Sequence, residues 1–178
     1  LRSFEYICRL RCLTLNSMLY CMGNKDTAEC ERCRDPTEDL KHTFWECHVV
    51  QEVWEEVFVW LCSMFELRLR FDPRLVLFHL VDDTEEVVPD AFWLGIIVTK
   101  KHIWYTRCAH SLLTTESCLQ QIKDTENVEA KAAIKYGTVH KHLHKWGPLS
   151  SLGIKNWSED ICLKGNLIEV DRSDLYVK

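Results

Sequence analysis

The sequence predicts a mainly α-helical fold with one cysteine-rich loop and a small carboxy-terminal hairpin, and three observations support this prediction. Apolar residues recur at spacings of three and four through most of the chain, which is typical of amphipathic helices. Glycine and proline, which interrupt helices, number only 6 and 4 among 178 residues. The apolar fraction of 47% suffices for a buried core and argues against disorder.

Two helices are predicted near the amino-terminal end. Residues 3–21 are expected to form the first, because four of their side chains fall on one stripe of a helical surface. These side chains are Tyr6, Leu10, Leu13 and Ser17. A Gly-Asn pair within residues 22–27 is expected to end this helix. Asp35, followed by a proline and then by acidic residues, predicts the start of a second, short helix.

The strongest helical pattern begins at Val49. Its apolar side chains recur at three-and-four spacing, while the glutamates between them lie off the stripe. The stripe consists of Val50, Val53, Trp54, Val57, Leu61, Met64 and Phe65. A short helix is predicted within residues 71–80, with Asp72 and a following proline at its start.

The acidic segment 81–90 is predicted to be a linker between two regions. We expect residues 1–80 to form a helical module and residues 91–178 a helical carboxy-terminal region with basic helices. Within that region, the apolar pattern predicts one long helix over residues 91–113 and another over residues 119–145.

The last part of the chain has a different pattern. Residues 146–153 contain a Gly-Pro pair and a further glycine, which interrupt helices. Residues 160–170 are expected to form the small hairpin, turning at a Gly-Asn pair.

Charge is distributed unevenly along the chain, whose net charge is −5. Residues 1–34 carry +2, residues 35–90 carry −10, residues 91–147 carry +4 and residues 148–178 carry −1. The acidic middle would repel phosphate, so a nucleic acid would have to contact the first helix or the 91–147 region.

Cysteine usage indicates the compartment. Ten cysteines without a secretory signal favour an intracellular, reducing environment, nuclear or cytoplasmic, in which thiols stay free or bind metal. A secreted disulfide scaffold is the alternative, but this chain is too large and too apolar to need such cross-links. No apolar run approaches the ~18 residues of a membrane span. Because the chain begins with leucine, we expect it to be a piece of something longer.

One motif has metal-ligand spacing. The stretch CERCRDPTEDLKHTFWEC places Cys30, Cys33, His42 and Cys47 in the pattern C-x2-C-x8-H-x4-C. Two cysteines separated by two residues can direct both sulfurs to one point from a tight turn, and a structural zinc ion needs four such donors in a tetrahedron. Three thiolates and an imidazole leave no open position, so the predicted role of one Zn²⁺ is structural.

Two alternatives to this ligand set stay open at the level of sequence. The four residues could be unconnected, with the cysteines acting as small buried apolar groups. His48 could replace His42 or Cys47 as a donor. The other cysteines scatter along helical patterns without partners at ligand spacing and are expected to be structural.

The stretch CERCRDPTEDLKHTFWECHVVQEVWEEV resembles the zinc-binding domain that follows the polymerase in reverse transcriptases of LINE-type (non-long-terminal-repeat) retrotransposons. The resemblance covers residues 1–60, including the leading helix, the acidic pair and leucine before His42, and Trp54 in the following helix. FWLGIIVTKKHIWYTR and EAKAAIKYGTVHKHLHKWGPL resemble the carboxy-terminal tail of vertebrate LINE polyproteins more loosely. Arg34 stands where the family usually has glycine, so we expect a less tight turn there.

The resemblance implies a non-catalytic part of a polyprotein, which assists the handling of template RNA or target DNA by a polymerase carried elsewhere. The polymerase carboxylates are missing: LVDD at residues 80–83 lacks the aromatic residue of the family motif. We find no Gly-rich phosphate loop and no nucleophile with a recognisable partner. We therefore expect no enzyme activity, no small-molecule substrate and no membrane association, whereas the oligomeric state is left open.

Candidate nucleic-acid contacts are the basic residues of the first helix and of the 91–147 region, because Lys and Arg bind phosphate. They are Arg9, Arg11, Lys100, Lys101, Arg107, Lys135, Lys141 and Lys145. The histidines of HKHLHK could share a helix face as metal ligands, but interleaved lysines favour a solvated basic face. Four tryptophans could stack on bases, although helical spacing favours the core for them; they are Trp45, Trp60, Trp104 and Trp146.

Two other functions are consistent with the sequence. The chain could be a protein-interaction module in which zinc only stabilises the fold, which the acidic middle favours. It could also be a decayed retroelement fragment without activity.

Overall fold

The structure, a computed structural model, describes residues 2–81 and 87–152. These residues form seven α-helices joined by short connections, and they contain no strand. In chain order the helices are α1 (Arg2–Arg9), α2 (Asn16–Cys21), α3 (His48–Phe65), α4 (Pro73–Phe78), α5 (Asp90–Cys108), α6 (Thr115–Lys135) and α7 (Val139–Trp146). A π-helical turn (His42–Glu46) precedes α3, and a 3₁₀ turn (Gly147–Leu149) follows α7. The predicted mainly α-helical class is confirmed.

Helix α3 lies at the centre of the core. It packs against α5, α6 and the π-helical turn, and the predicted apolar stripe is its inner face. The buried residues of α3 are Val50, Val53, Trp54, Val57, Phe58 and Leu61. The indole of Trp54 is fully buried and donates a hydrogen bond from Nε1 to the Phe44 carbonyl at 2.9 Å. This bond satisfies the one polar atom of the ring and ties α3 to the π-helical turn.

Helix α5 crosses α3 closely at Gly95. A Cβ atom at this position would lie 2.6 Å from Cδ2 of Leu61, which is itself fully buried. Glycine therefore permits a close helix–helix approach, whereas a Cβ here would force the buried Leu61 side chain or the helices to shift. Around this crossing, buried residues from α3, α4, α5, α6 and the 3₁₀ turn form one hydrophobic cluster. The regions predicted on either side of the acidic segment thus share a core.

The prediction of one helix over residues 3–21 is wrong. The chain leaves α1 after Arg9, passes through Arg11 with a positive φ of 55°, and re-enters a helix at Asn16. The predicted stripe is split as a result, because Tyr6 and Leu10 are exposed whereas Leu13 is buried. The buried side of α1 instead carries Glu5 and Cys8. Glu5 is buried because it pairs with Lys100, and the apolar pattern of the sequence does not reveal this ion pair.

The prediction of one helix over residues 119–145 is also wrong. Two helices occupy this region, and Gly137 lies between them with φ +66°, a conformation that glycine adopts without strain. The reversal lets α7 pack against α6 and α5. Helix α5 ends at Cys108, short of the predicted residue 113, because His110 takes a left-handed conformation with φ 50°.

Other predicted boundaries agree better with the structure. The short helix within residues 71–80 is α4, where the Asp72 side chain accepts a hydrogen bond from the Arg74 amide at 2.7 Å and caps the first turn. Half of the acidic segment, both aspartates of LVDD and the predicted hairpin at residues 160–170 lie outside the described residues. Within the described ranges, no helix combines the length and apolarity that a membrane crossing requires.

Helix α1 is attached to the core by a buried ion pair. The Glu5 carboxylate lies 2.9 Å from Nζ of Lys100, which is only 1% exposed. The imidazole of His79 lies beside this pair, with Nε2 3.5 Å from Glu5, and its ring packs against Trp93. Burial lowers the pKa of His79 to about 4, since Lys100 already neutralises the carboxylate that would otherwise favour the imidazolium.

This arrangement predicts a pH-dependent stability. Between about pH 6.5 and pH 4 the unfolded chain binds a proton at His79 that the folded chain does not, so the free energy of unfolding falls as the pH falls. The full effect is about 3 kcal/mol at 1.36 kcal/mol per pKa unit. Urea titrations across this range should show the loss in the wild type and a smaller one in His79→Asn, whose side chain does not titrate and tolerates positive φ. Parallel pH profiles for the two proteins would contradict this assignment.

Candidate metal centre

Two of the predicted ligands lie on a tight turn formed by residues 30–34, here called the cysteine turn. The Arg34 amide donates a hydrogen bond to the Cys30 carbonyl at 2.9 Å, and the Cys30 amide donates to the Asp35 carbonyl at 2.9 Å. Arg34 adopts the left-handed conformation, with φ 64°. The expectation that arginine loosens the turn is therefore wrong: the side chain is exposed, and the backbone takes the conformation that glycine would supply.

The histidine ligand lies on a helical turn that begins later than predicted. The Asp35 side chain caps only a local turn, accepting a hydrogen bond from the Thr37 amide at 3.1 Å. The helical conformation starts at Leu40, and Asp39 is the capping residue, with Oδ1 accepting from the His42 amide at 2.7 Å. The Glu38 amide donates a hydrogen bond to the Ala28 carbonyl at 2.7 Å. This bond prevents residues 35–38 from joining the helix.

The fourth ligand is positioned by the π-helical turn. The Cys47 amide donates to the His42 carbonyl at 3.0 Å, a bond between residues five apart. An α-helix pairs residues four apart, so the fifth residue would point away from the first. The wider turn places both side chains of the H-x4-C spacing on one side of the helix. This local geometry explains how that spacing can serve one ion.

All four predicted ligands come together. One donor atom from each of Cys30, Cys33, His42 and Cys47 lies within 4.8 Å of the others. Cys33 Sγ and His42 Nε2 lie 3.2 Å apart. Donors at about 2.0–2.3 Å from a tetrahedral centre lie roughly 3.3–3.8 Å apart, so the group is close to ligand geometry. The first alternative, four unconnected side chains, is therefore wrong.

The second alternative, with His48 as a donor, does not fit the structure. His48 is exposed and lies outside the group. In contrast, Cys30, His42 and Cys47 are at most 4% exposed, and Cys33 is half-buried. Among the described residues, this Cys3His group is the one cluster with metal-binding geometry.

The electrostatics of the group favour a cation. The pKa of Cys30 falls to about 4, because the Cys47 thiol and the backbone amides of Cys33 and Arg32 donate hydrogen bonds to its sulfur. The neighbouring Cys30 sulfur, together with burial, raises the pKa of Cys47 above its ordinary value. Burial, together with Cys30, raises the pKa of Cys33. A divalent cation at the centre would lower the pKa of all three cysteines, since its charge stabilises all three thiolates at once.

Surrounding groups orient the ligands. His42 directs Nε2 toward Cys33, while its Nδ1 faces the Asp35 carboxylate at 3.9 Å, which is longer than a hydrogen bond. Arg32, inside the cysteine turn, donates to the Ile103 carbonyl at 2.5 Å and to the Thr106 hydroxyl at 2.7 Å. The guanidinium thus joins the turn to α5 and offsets part of the negative charge of the thiolates.

A buried ion pair holds the rest of the loop. Arg107 donates from Nε to one oxygen of Glu38 at 2.9 Å and from a terminal nitrogen to the other at 2.5 Å. The same carboxylate accepts a hydrogen bond from the Asn16 amide at 3.2 Å, at the start of α2. The Asn16 side-chain oxygen accepts further bonds from Arg107 and from Lys25. Three segments distant in sequence meet at this one carboxylate.

The chemistry that this group can supply is limited by its donors. Four protein ligands fill a tetrahedral ion completely, so no position is left for a water molecule or a substrate. The near-complete burial of three ligands is consistent with a structural centre. This donor set suits zinc and other thiophilic ions better than magnesium or calcium, which prefer oxygen.

The predicted nucleic-acid contacts fall into two groups. Lys100 is buried against Glu5, and the Arg107 side chain is 12% exposed and paired with Glu38. These two residues therefore do not present their charges to solvent, and their positions give them structural roles. The charge pattern could not reveal this, because their partners lie 95 and 69 residues away in the sequence.

The other predicted cations reach the surface. Arg9, Arg11, Lys135 and Lys141 are exposed, and Lys101 is half-buried with its ammonium 5.3 Å from the centre of the Tyr105 ring. Lys145 is 42% exposed and pairs with Glu129 at 2.6 Å. The structure does not bring the eight residues together at one site.

The histidines of HKHLHK divide between core and solvent. His142 is buried, and its Nε2 lies 2.7 Å from the Glu126 carboxylate, whereas His140 and His144 are exposed. None of them joins a metal-binding group. The preference for a core role of the tryptophans agrees with the structure: Trp146 is fully buried, and Trp45, Trp60 and Trp104 pack against the core.

Comparison with models of known protein families finds no match to this chain, and comparison with curated proteins finds none either.

The structural role of Arg107 can be tested by stability. Arg107→Ala leaves the Glu38 carboxylate buried without its partner, and we expect the free energy of unfolding to fall by about 3 kcal/mol. Lys141→Ala, at an exposed lysine, should change it by no more than about 0.5 kcal/mol. Adding Glu38→Gln to Arg107→Ala should restore part of the loss. Equal stability of the two single variants in urea unfolding would show that Arg107 is not structural.

Proposed function

We propose that this chain is a non-catalytic module that a structural zinc ion stabilises, of the kind that follows the polymerase in LINE-type reverse transcriptases. In this proposal zinc joins the cysteine turn to the start of α3, and exposed cations on the outer helices contact RNA or DNA. The observation that carries the proposal is the closed Cys3His group, in which four donors within 4.8 Å leave no coordination position for chemistry.

Several features support zinc as the ion. The segment between the first and last ligand is poor in apolar residues, and a bound ion would supply folding energy that hydrophobic burial does not. Other divalent ions often prefer square or octahedral coordination, whereas zinc does not. Zinc therefore accepts a tetrahedral arrangement of three sulfurs and one nitrogen. The Asp35 carboxylate, 3.9 Å from the second nitrogen of His42, lies on the side where zinc-bound histidines usually have an outer partner.

Support for the nucleic-acid part comes from charge. With Lys100 and Arg107 paired internally, the exposed cations of the second half lie on α6 and α7, where Lys135 and Lys141 have no carboxylate partner within the described ranges. Such lysines bind the phosphates of a nucleic acid independently of its base sequence. We infer that this part of the chain contacts the nucleic-acid backbone.

A second candidate function is a protein-interaction module. It is favoured by exposed apolar side chains on α1 and α2, where Tyr6 is 65%, Met18 44% and Tyr20 53% exposed. Side chains of this size on short, adjacent helices are typical of surfaces that another protein covers. The zinc centre would have the same structural role in this alternative.

Metal analysis tests the zinc centre. The purified wild type should contain one zinc ion per chain, and Cys47→Ser should contain much less, because serine is a poor zinc ligand. Cys108→Ser is the matched control, since this exposed cysteine lies outside the group. Should Cys47→Ser fail to fold, the absorption spectrum of the cobalt-substituted wild type still reports tetrahedral thiolate coordination. A wild type without stoichiometric metal and without that spectrum would refute the centre.

Salt dependence tests phosphate contact. The affinity of the full chain for a fluorescent 20-nucleotide RNA or DNA should fall steeply with rising salt, as counterion release requires. Lys135→Ala combined with Lys141→Ala should weaken binding and lower the slope of the salt dependence by about one per lysine. Arg70→Ala, an exposed cation of the acidic half, is the control and should have little effect. Affinity that is absent, or independent of salt, would count against this part and favour the protein-interaction module.

A further inference from the structure

The end of α6 and the whole of α7, residues 131–146, form a surface that we call the basic corner. This segment contains four lysines and three histidines but neither aspartate nor glutamate. Lys131, Lys135, His140, Lys141 and His144 are all exposed. Lys145, which pairs with Glu129, is the one lysine of the corner with a carboxylate partner among the described residues. The outer face of the corner is therefore positively charged.

The two acidic residues of α6 nearest to the corner, Glu126 and Glu129, are bound to α7. Glu126 is 2% exposed and accepts hydrogen bonds from His142 at 2.7 Å and from the Ser151 amide at 2.9 Å. Glu129 accepts from Lys145 at 2.6 Å and from Nε1 of Trp146 at 2.7 Å. These contacts attach α7 to α6. They also bury the charge of Glu126 and pair that of Glu129 with Lys145, which reduces the repulsion of a phosphate.

An aromatic ring lies at the bend of this corner. Tyr136 follows the last residue of α6 and precedes Gly137, and 70% of its surface is exposed. The ammonium of Lys135 lies 5.5 Å from the centre of the Tyr136 ring. Among the described residues, the Tyr136 ring stacks on no other aromatic ring, and it is not part of the hydrophobic core. An exposed ring among cations presents a flat surface on which a base can stack.

The tryptophans that the sequence singled out for stacking do not offer such a surface. Trp146 is fully buried, and Trp104 packs against the core with the Arg107 guanidinium 4.9 Å from its ring centre. Tyr136 thus combines exposure and surrounding positive charge in a way that the tryptophans do not.

We propose that Tyr136 is a base-stacking residue and that the basic corner binds single-stranded rather than duplex nucleic acid. Bases in a duplex stack on one another and expose no face to a side chain, whereas an unpaired base can lie on the Tyr136 ring while flanking phosphates contact Lys135 and Lys141. The ligand is a flexible single strand, read without sequence preference because every base has a π-face. This inference rests on the nucleic-acid part of the proposed function.

The experiment compares Tyr136→Ala with Tyr136→Phe in the full, metal-loaded chain. Affinity is measured by fluorescence anisotropy for a 20-nucleotide oligouridine, the same length of abasic strand, and a 20-base-pair duplex. Tyr136→Ala should weaken oligouridine binding about five-fold or more, the loss of one stacked base, and Tyr136→Phe should not. Tyr20→Ala, which removes an exposed tyrosine outside the corner, is the matched control. Thermal unfolding of each variant checks that the fold is retained.

The abasic strand and the duplex separate stacking from charge. We expect Tyr136→Ala to leave the affinity for both of them unchanged, since neither offers an unpaired base. An equal loss for all three ligands, or no loss for oligouridine, would overturn the stacking role while salt-dependent binding by the wild type still supports the proposed function. A wild type that binds none of the three would overturn both.

Discussion

The fold depends on how one short loop, residues 30–47, is held to a helical core that it cannot join by apolar burial alone. Polar interactions attach it at three points: the Cys3His group closes it on itself, Arg32 bonds to α5, and Glu38 pairs with Arg107. The Arg32 and Glu38 side chains are costly to bury alone, and each is compensated by a partner on α5, whereas the members of the Cys3His group are neighbours within the loop itself. A cation at the Cys3His group would remove the remaining conflict, which is the repulsion among three adjacent sulfurs.

The same principle organises the rest of the molecule. Helix α1 is attached through Glu5 and Lys100, and α7 is attached through Glu126 and His142. In both cases a buried carboxylate reaches a cation or an imidazole on a neighbouring helix. Because these pairs lie inside, the charges remaining on the surface are distributed differently from those in the sequence. Glu126 and Glu129 of α6 bond to α7 and to the turn that follows it, and the lysines around Tyr136 stay exposed.

A structural metal centre and a basic surface have different consequences for function. The centre determines whether residues 30–47 are ordered, whereas the corner of α6 and α7 lies on other elements and is held by Glu126 and Glu129. The two can therefore be examined separately: loss of metal affects the loop first, and loss of a surface lysine or of Tyr136 leaves the loop intact. This separation allows the metal centre to be established independently of any partner.

The sequence by itself determined the helical class, the position of α3 and the identity of the four clustered residues, because helical periodicity and ligand spacing are local properties of the chain. The tertiary structure decided where helices stop and which charges stay exposed. The breaks at Arg11 and Gly137 depend on how the flanking helices pack, and the π-helical turn that serves the H-x4-C spacing is set by contacts with α3. Lys100 and Arg107 looked like surface cations because their carboxylate partners are remote in sequence, and only the folded chain brings each pair together.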